Sequence, residues 1–197
     1  MIRSAFTLEE QQIIADEISS YGRGDVPAAG SFFSGGALTM KDGYVDPVAE
    51  DSDPQSGYLN IQGSKARMNV PFEICSKKVW ELCKPILDNA SIVCPSIPPL
   101  LHPTCWRLNY YSKKGRIGWH FDRHPFVSAD QQYTVKEPVI SVTIGNSGIF
   151  EYRDFNNVVQ SLRLDSGDVV IFGGPSRLVV HQVPRILPNT KPAQLNL

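Results

Sequence analysis

The sequence predicts an α+β fold, with helices packed on one face of a β-sandwich or jelly roll. The N-terminal half shows helical periodicity, the C-terminal half shows short runs of β-forming residues, and turn residues separate those runs. A chain of 197 residues, 42% of them hydrophobic, suits one domain with a substantial core. We therefore expect a single domain over residues 1–197.

Two helices are predicted in the N-terminal part. The first covers residues 7–20, where Thr7 and Glu10 match a capping box that precedes an apolar face. The second covers residues 71–87 and is followed by a proline-rich segment that cannot continue a helix. Its expected inner side carries Phe72, Ile74, Val79, Leu82 and Cys83. The intervening stretch lacks clean periodicity and is predicted to form loops, or loops with short strands, which could also act as lids.

Six β-type runs are predicted in the C-terminal part. They cover residues 105–111, 138–145, 148–153, 158–164, 168–172 and 178–184. Asn156 with Asn157, and Ser166 with Gly167, supply turns between them. We therefore divide the domain into a helical part, residues 1–104, and a β part, residues 105–197.

Charge and cysteine content limit the choice of partner and compartment. The formal net charge of −1 provides no global field for nucleic acid, so a local patch would have to hold such a partner. Lys113, Lys114, Arg116 and Arg123 form one candidate patch, and a solvated basic loop is the alternative. The four cysteines include no C-x-x-C pair, and no apolar run reaches membrane-spanning length. We expect reduced thiols, no membrane partner and an intracellular protein, cytoplasmic or nuclear.

His120, Asp122 and His181 are candidate metal ligands. In an extended backbone, residues two apart point to the same side, so the side chains of His120 and Asp122 converge. His181 follows His120 by 61 positions (181 − 120), at the end of a predicted strand. Two histidines and one carboxylate on one face of Fe(II) leave three positions open, whereas zinc favours a tetrahedral site. Taken alone, such spacing also occurs by chance, and a lone histidine is more often a core or surface residue.

Five stretches around these three residues share a family pattern. They cover residues 107–111, 117–122, 138–150, 164–174 and 176–185. Together they resemble the AlkB family of nucleic-acid dealkylating oxygenases, over roughly residues 35 to 197. Residues 176–178 and 181–189 are most similar to the AlkB homologue-one branch, which is associated with methylated adenine or cytosine in DNA and tRNA. Two further segments resemble the family's nucleotide-recognition region: Gly35 and Gly36 with Thr39 and Met40, and Gly57 with Tyr58 and Leu59.

The resemblance implies a double-stranded β-helix (jelly roll) with N-terminal helices packed on the major sheet. It implies that His120, Asp122 and His181 bind Fe(II) and form the catalytic centre. The residues it places at the co-substrate 2-oxoglutarate are Asn109, Tyr111, Ile117 and Asn196. The candidate substrate-binding residues are Tyr58 and Arg185 from the resemblance, and Lys113, Lys114 and Arg123 from the basic loop.

Several of these residues have ordinary structural alternatives. Asn109 could cap a strand end, while Tyr58, Tyr111 and Ile117 could simply pack in the fold. Trp119 is expected to point away from His120 and to pack rather than to stack on a base. His124 is interpreted as a loop residue near substrate, and His102 as a surface residue.

The implied activity is oxidative demethylation of N-methylated bases in DNA or RNA. It uses Fe(II), 2-oxoglutarate and O2, and it releases formaldehyde, succinate and CO2. The base would be single-stranded or flipped out of a duplex, because a stacked base cannot enter such a site. One alternative is a same-fold oxygenase acting on a protein or small molecule; another is a non-catalytic nucleic-acid-binding module that has lost 2-oxoglutarate affinity. A monomer is expected.

The sequence departs from the family pattern in its last residues. The family ends in an Arg-x-Asn-x-x-x-Arg strand whose arginines clamp the carboxylates of 2-oxoglutarate. Here Gln194 replaces the first arginine, Asn196 matches, and the sequence stops before the second, so the last strand is expected to be cut short. A neutral amide cannot replace a bidentate guanidinium–carboxylate pair. Either co-substrate binding is impaired or another cation serves, with Arg153 and Arg163 as candidates on predicted strands.

Overall fold

In a computed structural model of the chain, the described residues are 1–23, 25, 33–34, 37–38, 58–59, 65–111, 115–124 and 127–197. The nucleotide-recognition residues Gly35, Gly36, Thr39, Met40 and Gly57 lie outside them, as do Lys113 and Lys114 of the basic loop. Among the described residues, no helix is both long enough and apolar enough to cross a membrane.

The helices and strands alternate irregularly along the chain before giving way to a run of strands. Within the described ranges the helices are α1 (Leu8–Arg23) and α2 (Lys77–Val93), and short 3-10 turns cover Phe72–Ile74, Ala129–Thr134 and Gly174–Ser176. The N-terminal strands are β1 (Phe33–Ser34), β2 (Ala37–Leu38), β3 (Tyr58–Leu59) and β4 (Lys65–Pro71). The later strands are β5 (Cys105–Tyr111), β6 (Ile117–His120), β7 (Val139–Val142), β8 (Gly148–Arg153), β9 (Val159–Leu164), β10 (Val169–Phe172) and β11 (His181–Ile186).

The first predicted helix is confirmed, and the second is shifted. The Thr7 amide donates to Glu10 Oε2 (2.8 Å), and the Glu10 amide donates to Thr7 Oγ1 (3.2 Å), so the capping box starts α1. The second helix begins at residue 77 rather than 71, because the Ser76 hydroxyl accepts from the Val79 amide and caps it there. Pro71 instead ends strand β4.

The predicted strands are mostly confirmed within a few residues, with one consequential error. The limits of β5 and β8 match, and the other runs are shorter than predicted. The sequence predicts the last run over 178–184, but the strand covers His181–Ile186, so His181 begins the strand instead of lying within it. The turn that begins at Gly174, with a φ of +52°, continues past Ser176, because the Val179 amide donates to the Ser176 carbonyl oxygen (3.0 Å) and so is not available to a strand.

The strands form antiparallel sheets that enclose two apolar clusters. One sheet has the order β6-β11-β8-β9, β10 pairs with β7, and β3-β4-β5 form a third sheet. Strand β10 is apolar throughout because both of its faces are covered. Val169 and Ile171 pack with residues of α1 and α2, whereas Val170 and Phe172 pack against the four-stranded sheet. The predicted α+β class, with helices on one face of a strand layer, is confirmed.

The N-terminal residues and the C-terminal tail meet at the end of the sandwich that carries the β9–β10 turn. Asp168 is 2% exposed, and it accepts from the Ser4 amide (2.9 Å), the Asp165 amide (2.9 Å) and Arg3 Nη1 (2.5 Å). Gly167, with a φ of +88°, makes the predicted turn beside Gln11. These bonds fix the helices against the strands far from the candidate ligands.

Candidate metal centre

Strands β6 and β11 bring the two candidate histidines side by side. His181 lies directly opposite His120 in the antiparallel register, and the centroids of their rings are 4.4 Å apart. Each Nε2 is 3.9 Å from one oxygen of the Asp122 carboxylate, His120 from Oδ1 and His181 from Oδ2. One ligand atom from each of the three residues therefore lies within 4.8 Å of the others.

Both imidazoles are oriented by a carbonyl two residues earlier in the chain. His120 Nδ1 lies 2.8 Å from the Gly118 carbonyl oxygen, and His181 Nδ1 lies 3.0 Å from that of Val179. A carbonyl oxygen can only accept, so each Nδ1 carries the proton and donates. The lone pair of each Nε2 is then directed at the space beside Asp122, as metal-ligating histidines require.

The Asp122 carboxylate is held by a cation, and its backbone by a second one. Arg107 Nη1 donates to Asp122 Oδ1 over 3.1 Å, and Arg177 Nη1 donates to the Asp122 carbonyl oxygen over 2.6 Å. Arg177 is 5% exposed, and among the described residues its Nε has no hydrogen-bond partner. Burial lowers the pKa of the Arg177 guanidinium, and the charge of Asp122 opposes that shift. Together the two arginines fix where the carboxylate points.

Aromatic rings wall the inner side of the cluster. His181 is 5% exposed and stacks on Phe150, with centroids 5.2 Å apart, and Phe172 approaches its ring at 5.3 Å. His120 and Asp122 keep 25% and 21% of their side-chain surface exposed. The cluster is therefore dry on the His181 side and open on the side of the other two ligands.

A bulge in β6 decides which side chains join the site. Ile117 pairs with Val183 while His120 pairs with His181, so three steps along β6 match two along β11. His181 and Val183 are two residues apart on β11, so their side chains point to the same face of the sheet. Residues that pair across two strands also share a face, so Ile117, opposite Val183, points to the same face as His120, opposite His181. The predicted position of Ile117 near the site is consistent with this register.

Trp119 lies outside the site, as expected, but its surroundings differ from those predicted. Its side chain is 39% exposed, and the Arg153 guanidinium covers its ring at 4.7 Å. The packing expected for Trp119 is thus a cation–π contact on the outer face and not burial in the core.

Strand β5 carries a polar row on its inner side. Tyr110 Oη donates to the Ile18 carbonyl oxygen of α1, so the even-numbered residue faces the helices. Arg107, Asn109 and Tyr111 alternate with it and face the opposite side, where Arg107 reaches Asp122. Across β4, the backbone of Tyr58 lies in the same row as Asn109, since both pair with Arg67. The structure therefore brings the predicted Asn109 and Tyr111 to the side of the triad.

Four other residues are placed away from the cluster. Asn196 exchanges backbone hydrogen bonds with the Gln12 side chain of α1, at the end of the sandwich opposite the triad. Arg185 and Arg163 both pair with Ile149 on the outer face of the four-stranded sheet. Arg153 covers Trp119 on that face. The expectation that Arg153 or Arg163 faces the co-substrate is therefore wrong, because alternation along β8 and β9 turns both outward.

The remaining predicted residues lie near the open side or on the surface. Arg123 directly follows Asp122, and its guanidinium lies 5.4 Å from the centroid of the Phe121 ring. His124 Nε2 is 3.3 Å from Glu137 Oε2 and so is oriented toward that carboxylate. His102 is exposed, as expected.

Sequence reasoning missed the roles of Arg107, Arg177 and the two phenylalanines. Arg107 could have been found from its spacing, since it stands two residues before Asn109 on a predicted strand and so shares its face. The contact between Arg177 and Asp122 joins residues 55 apart and leaves no local signal.

The donor set suits Fe(II) better than zinc. The two 3.9 Å separations are wider than the roughly 3 Å between neighbouring ligands of one ion with bonds near 2 Å, so small side-chain rotations would bring the three donors onto it. Two imidazoles and one carboxylate are the facial arrangement typical of non-haem iron oxygenases. Burial raises the pKa of the nearby Cys105 thiol, which keeps it protonated and unsuited to a metal.

Comparison with known proteins places this centre in a family. The chain matches the 2OG-Fe(II) oxygenase superfamily over residues 6–197. It belongs to that superfamily. The cofactors of the family are Fe(II), 2-oxoglutarate and O2, and the His120–Asp122–His181 cluster supplies the ligands.

Individual relatives confirm the resemblance to AlkB proteins of the homologue-one branch. The chain is 33% identical over 150 residues to the DNA N(6)-methyladenine demethylase ALKBH1D of Arabidopsis thaliana, covering 73% of this chain and 33% of that protein. It is 37% identical over 94 residues to an alpha-ketoglutarate-dependent dioxygenase AlkB homolog of Caulobacter vibrioides, covering 47% and 40%. The chain thus spans well under half the length of these relatives. The solved structure of OsALKBH1 superimposes with a TM-score of 0.70 at 24% identity, covering 98% of this chain and 88% of that one, which confirms the fold.

Proposed function

We propose that the chain is an Fe(II)- and 2-oxoglutarate-dependent oxygenase that demethylates N-methylated bases in DNA or RNA. The observation that carries the proposal is the cluster of His120, Asp122 and His181, whose ligand atoms lie within 4.8 Å of one another in a chain of the 2OG-Fe(II) oxygenase superfamily. The demethylase names of its relatives support the substrate class. Iron, 2-oxoglutarate and O2, when bound, would supply the oxidation: the N-methyl carbon would leave as formaldehyde, and 2-oxoglutarate would be converted to succinate and CO2.

The ligand residues bind and orient rather than transfer protons. His120 and His181 present Nε2 because their Nδ1 atoms donate to backbone carbonyls. Arg107 and Arg177 hold Asp122, so its carboxylate needs no reorganisation when an ion binds. Phe150 and Phe172 exclude water beside His181. The chain therefore contributes a fixed facial triad, with aromatic rings that exclude water on the side of His181.

Co-substrate and substrate would enter from the open side of the cluster. We assign Asn109, Tyr111 and Ile117 to 2-oxoglutarate, since all three lie on the side of the triad. Tyr58 shares a strand row with Asn109, which supports a role for its segment in holding the target base. Arg123 follows the ligand Asp122 and is assigned to a phosphate, together with Lys113 and Lys114 of the same loop region. Arg185 lies on the outer face, so any phosphate contact it makes is outside the site.

The finer features follow from this function and are part of the proposal. We assign residues 1–197 to one catalytic domain that acts as a monomer in an intracellular compartment, cytoplasmic or nuclear, where its nucleic-acid substrate is found. The target base is single-stranded or flipped, because the triad lies between two sheets and a stacked base cannot reach it.

Two other functions remain to be separated by experiment. The net charge of −1 favours a same-fold oxygenase acting on a protein or small molecule. The Asn196 backbone amide donates to the Gln12 side chain of α1, and Gln194 replaces an arginine. These two features favour a non-catalytic nucleic-acid-binding module.

The deciding experiment measures succinate and formaldehyde together. The iron-loaded protein is incubated with 2-oxoglutarate and single-stranded oligonucleotides that carry methylated adenine or cytosine, with unmethylated oligonucleotides as the reference. Demethylation predicts equal amounts of both products, only with methylated substrate, and none from Asp122→Ala. Succinate that does not respond to any oligonucleotide would favour the protein or small-molecule alternative. Oligonucleotide binding without any succinate would favour the binding module.

A further inference from the structure

Exposed apolar side chains lie close together at the tip of the β8–β9 hairpin. Phe155 is 89% exposed in the turn between the two strands, and Val159, the first residue of β9, is 44% exposed. Val159 pairs with Arg153, the last residue of β8, whose guanidinium covers the 39% exposed Trp119. We call Trp119, Arg153, Phe155 and Val159 the hairpin patch. Neighbouring exposed apolar side chains of this kind mark binding surfaces.

The hairpin patch lies beside the candidate metal centre, on the opposite face of the same sheet. Trp119 directly precedes His120 on β6. The Arg153 amide donates to the carbonyl oxygen of Val180, the residue before His181, over 2.9 Å. Since neighbouring residues of a strand point to opposite faces, the imidazoles face inward and the patch faces outward. In the described sheet order β6 is an edge strand, so a chain that passes around β6 reaches both faces.

The Arg153 guanidinium is held in one position. Its Nη1 lies 3.3 Å from both the carbonyl oxygen and Oδ1 of Asn157, and its Cζ lies 4.7 Å from the centroid of the Trp119 ring. A guanidinium donates hydrogen bonds through its edge and stacks through its faces. Arg153 is only partly buried, so a planar group can stack on the face turned away from Trp119. Trp119 then supports the guanidinium and does not itself stack on the ligand.

The carboxylates next to the patch are hydrogen-bonded to donors of the chain itself. Asp154 accepts from the amides of Asn156 and Val158, both over 2.9 Å. Glu151 accepts from Gln182 Nε2 over 2.6 Å. Binding at the patch should therefore depend more on stacking than on charge. An aromatic ring beside a guanidinium suits unpaired bases, because every base has a face for stacking and every nucleotide carries a phosphate.

We propose that the hairpin patch binds an unpaired segment of the nucleic acid next to the target base, with bases stacked on Phe155 and on the Arg153 guanidinium. The target base lies on the inner face at the triad, and a strand that passes around β6 brings its neighbours to the outer face. The patch would supply affinity for a strand that the net charge of −1 does not provide. The proposal rests on the nucleic-acid part of the proposed function and does not require demethylation.

Binding without turnover tests the proposal. The protein is loaded with Mn(II) and 2-oxoglutarate under anaerobic conditions and titrated with an unmethylated single strand of about twelve nucleotides at several salt concentrations. Tryptophan fluorescence reports binding near the patch, because Trp80 and Trp106 pack against the core whereas Trp119 is exposed. A duplex of the same sequence is titrated in parallel.

Two variants of the patch are compared with two matched controls. Phe155→Ala is matched by Ile92→Ala, which removes a 77% exposed apolar side chain from α2, on the other side of the molecule. Arg153→Gln is matched by Arg163→Gln, which removes an arginine from the far end of the same outer face. Because Phe155 is 89% exposed, its replacement should leave the fold intact.

We expect Phe155→Ala to bind the single strand roughly five- to hundredfold more weakly with an unchanged salt slope, because one stacking face is lost. Arg153→Gln should bind more weakly and also lose about 0.7 of the salt slope, because a cation beside the strand is removed. Phe155→Trp keeps an aromatic face and should bind as the unaltered chain does. The controls should match the unaltered chain, and the duplex should bind all five proteins alike because its bases are already stacked.

Four results would overturn the proposal. Unchanged affinity in both patch variants would exclude a strand from the patch, and a loss in Arg153→Gln alone would make the contact electrostatic instead of stacking. An equal loss in Ile92→Ala would show that the effect is not specific to the patch. Self-association of the unaltered chain that Phe155→Ala removes, at constant strand affinity, would assign the patch to a second copy. Formaldehyde release by the unaltered chain separately decides the demethylase function, so the two proposals can fail independently.

Discussion

Asp168 and Asp122 lie at opposite ends of the β-sandwich and differ in exposure and in the groups that surround their carboxylates. At the turn end, defined by Asp168 and the turn at Gly167, the carboxylate is 2% exposed and accepts from two backbone amides and Arg3. At the metal end, defined by the triad, Asp122 is 21% exposed and lies 3.9 Å from each of two imidazole nitrogens that point their lone pairs toward it.

The polar groups at the turn end stabilise the fold, whereas those at the metal end are arranged to bind a ligand. Donors and acceptors at the turn end satisfy one another, so they contribute to the free energy of unfolding. At the metal end, three potential ligand atoms lie within 4.8 Å of one another, an arrangement suited to binding one cation. Substitutions at the two ends should therefore act on different measurements.

The largest effect is expected at the metal end. His120→Ala or Asp122→Ala should abolish iron binding and turnover, because a facial site with two remaining ligands does not hold Fe(II). The melting temperature of the metal-free protein should change little. Iron titration and thermal unfolding measure the two effects, with the exposed His102→Ala as the control. Iron affinity equal to that of the unaltered chain in either variant would contradict the assignment.

At the turn end, Asp168→Asn should reverse this pattern. Replacing one carboxylate oxygen by an NH2 group sets donor against donor at a buried position, which should cost about 2–5 kcal/mol of unfolding free energy. Denaturant unfolding measures it, while the variant that remains folded should bind iron normally. The surface change Asp88→Asn, which breaks an exposed i,i+4 pair with Lys84, should cost less than about 1 kcal/mol. Equal losses in the two variants would remove the distinction between the ends.

Lysines allow a third comparison, on nucleic-acid binding. Neutralising Lys113 and Lys114 to glutamine should weaken oligonucleotide binding and reduce its salt slope by about 0.7 to 1 for each phosphate that is no longer neutralised. Lys191→Gln is the control at the turn end, where the lysine Nζ donates to the Leu195 carbonyl oxygen. Fluorescence titrations at several salt concentrations measure both. An unchanged slope in the double variant would leave Lys113 and Lys114 as a solvated face.

The smallest effect is expected from restoring the family residue at position 194. Because Gln194 is exposed and its neighbours are tied to α1, Gln194→Arg should change the 2-oxoglutarate dissociation constant by less than about twofold. Calorimetry at saturating metal detects a larger change. Clearly tighter binding would show that the tail can reach the metal end.

Local patterns are sufficient to predict much of the fold and the triad. The capping box of α1, the limits of β5 and β8 and the turn at Gly167 depend on residues close in sequence, and the structure confirms all of them. The triad is predictable because His120 and Asp122 are two residues apart and the family pattern supplies His181.

Features that depend on distant contacts are missed or misplaced by sequence reasoning. Spacing predicts the face on which Arg107 lies but not its partner, because the pairing with Asp122 requires β5 to approach the segment that follows β6. The position of Asn196 depends on Gln12, 184 residues away. The turn at Gly174 lies against the Ser96 carbonyl oxygen, an approach between segments that are 78 residues apart (174 − 96). In each case the local sequence is compatible with more than one arrangement, and a contact between residues distant in sequence decides which one forms.

The bulge in β6 makes the iron site depend on residue count as well as residue type. Three steps from Ile117 to His120 match two steps on β11. A chain shortened by one residue at Gly118 would have two steps on each strand, so regular alternation would turn Ile117 and His120 to the same face without a bulge. With three steps and no bulge, one of these two side chains would instead point to the outer face, where Arg153 covers Trp119. Among relatives of this chain, a one-residue gap between these positions would therefore remove the bulge and keep the imidazole directed at the triad.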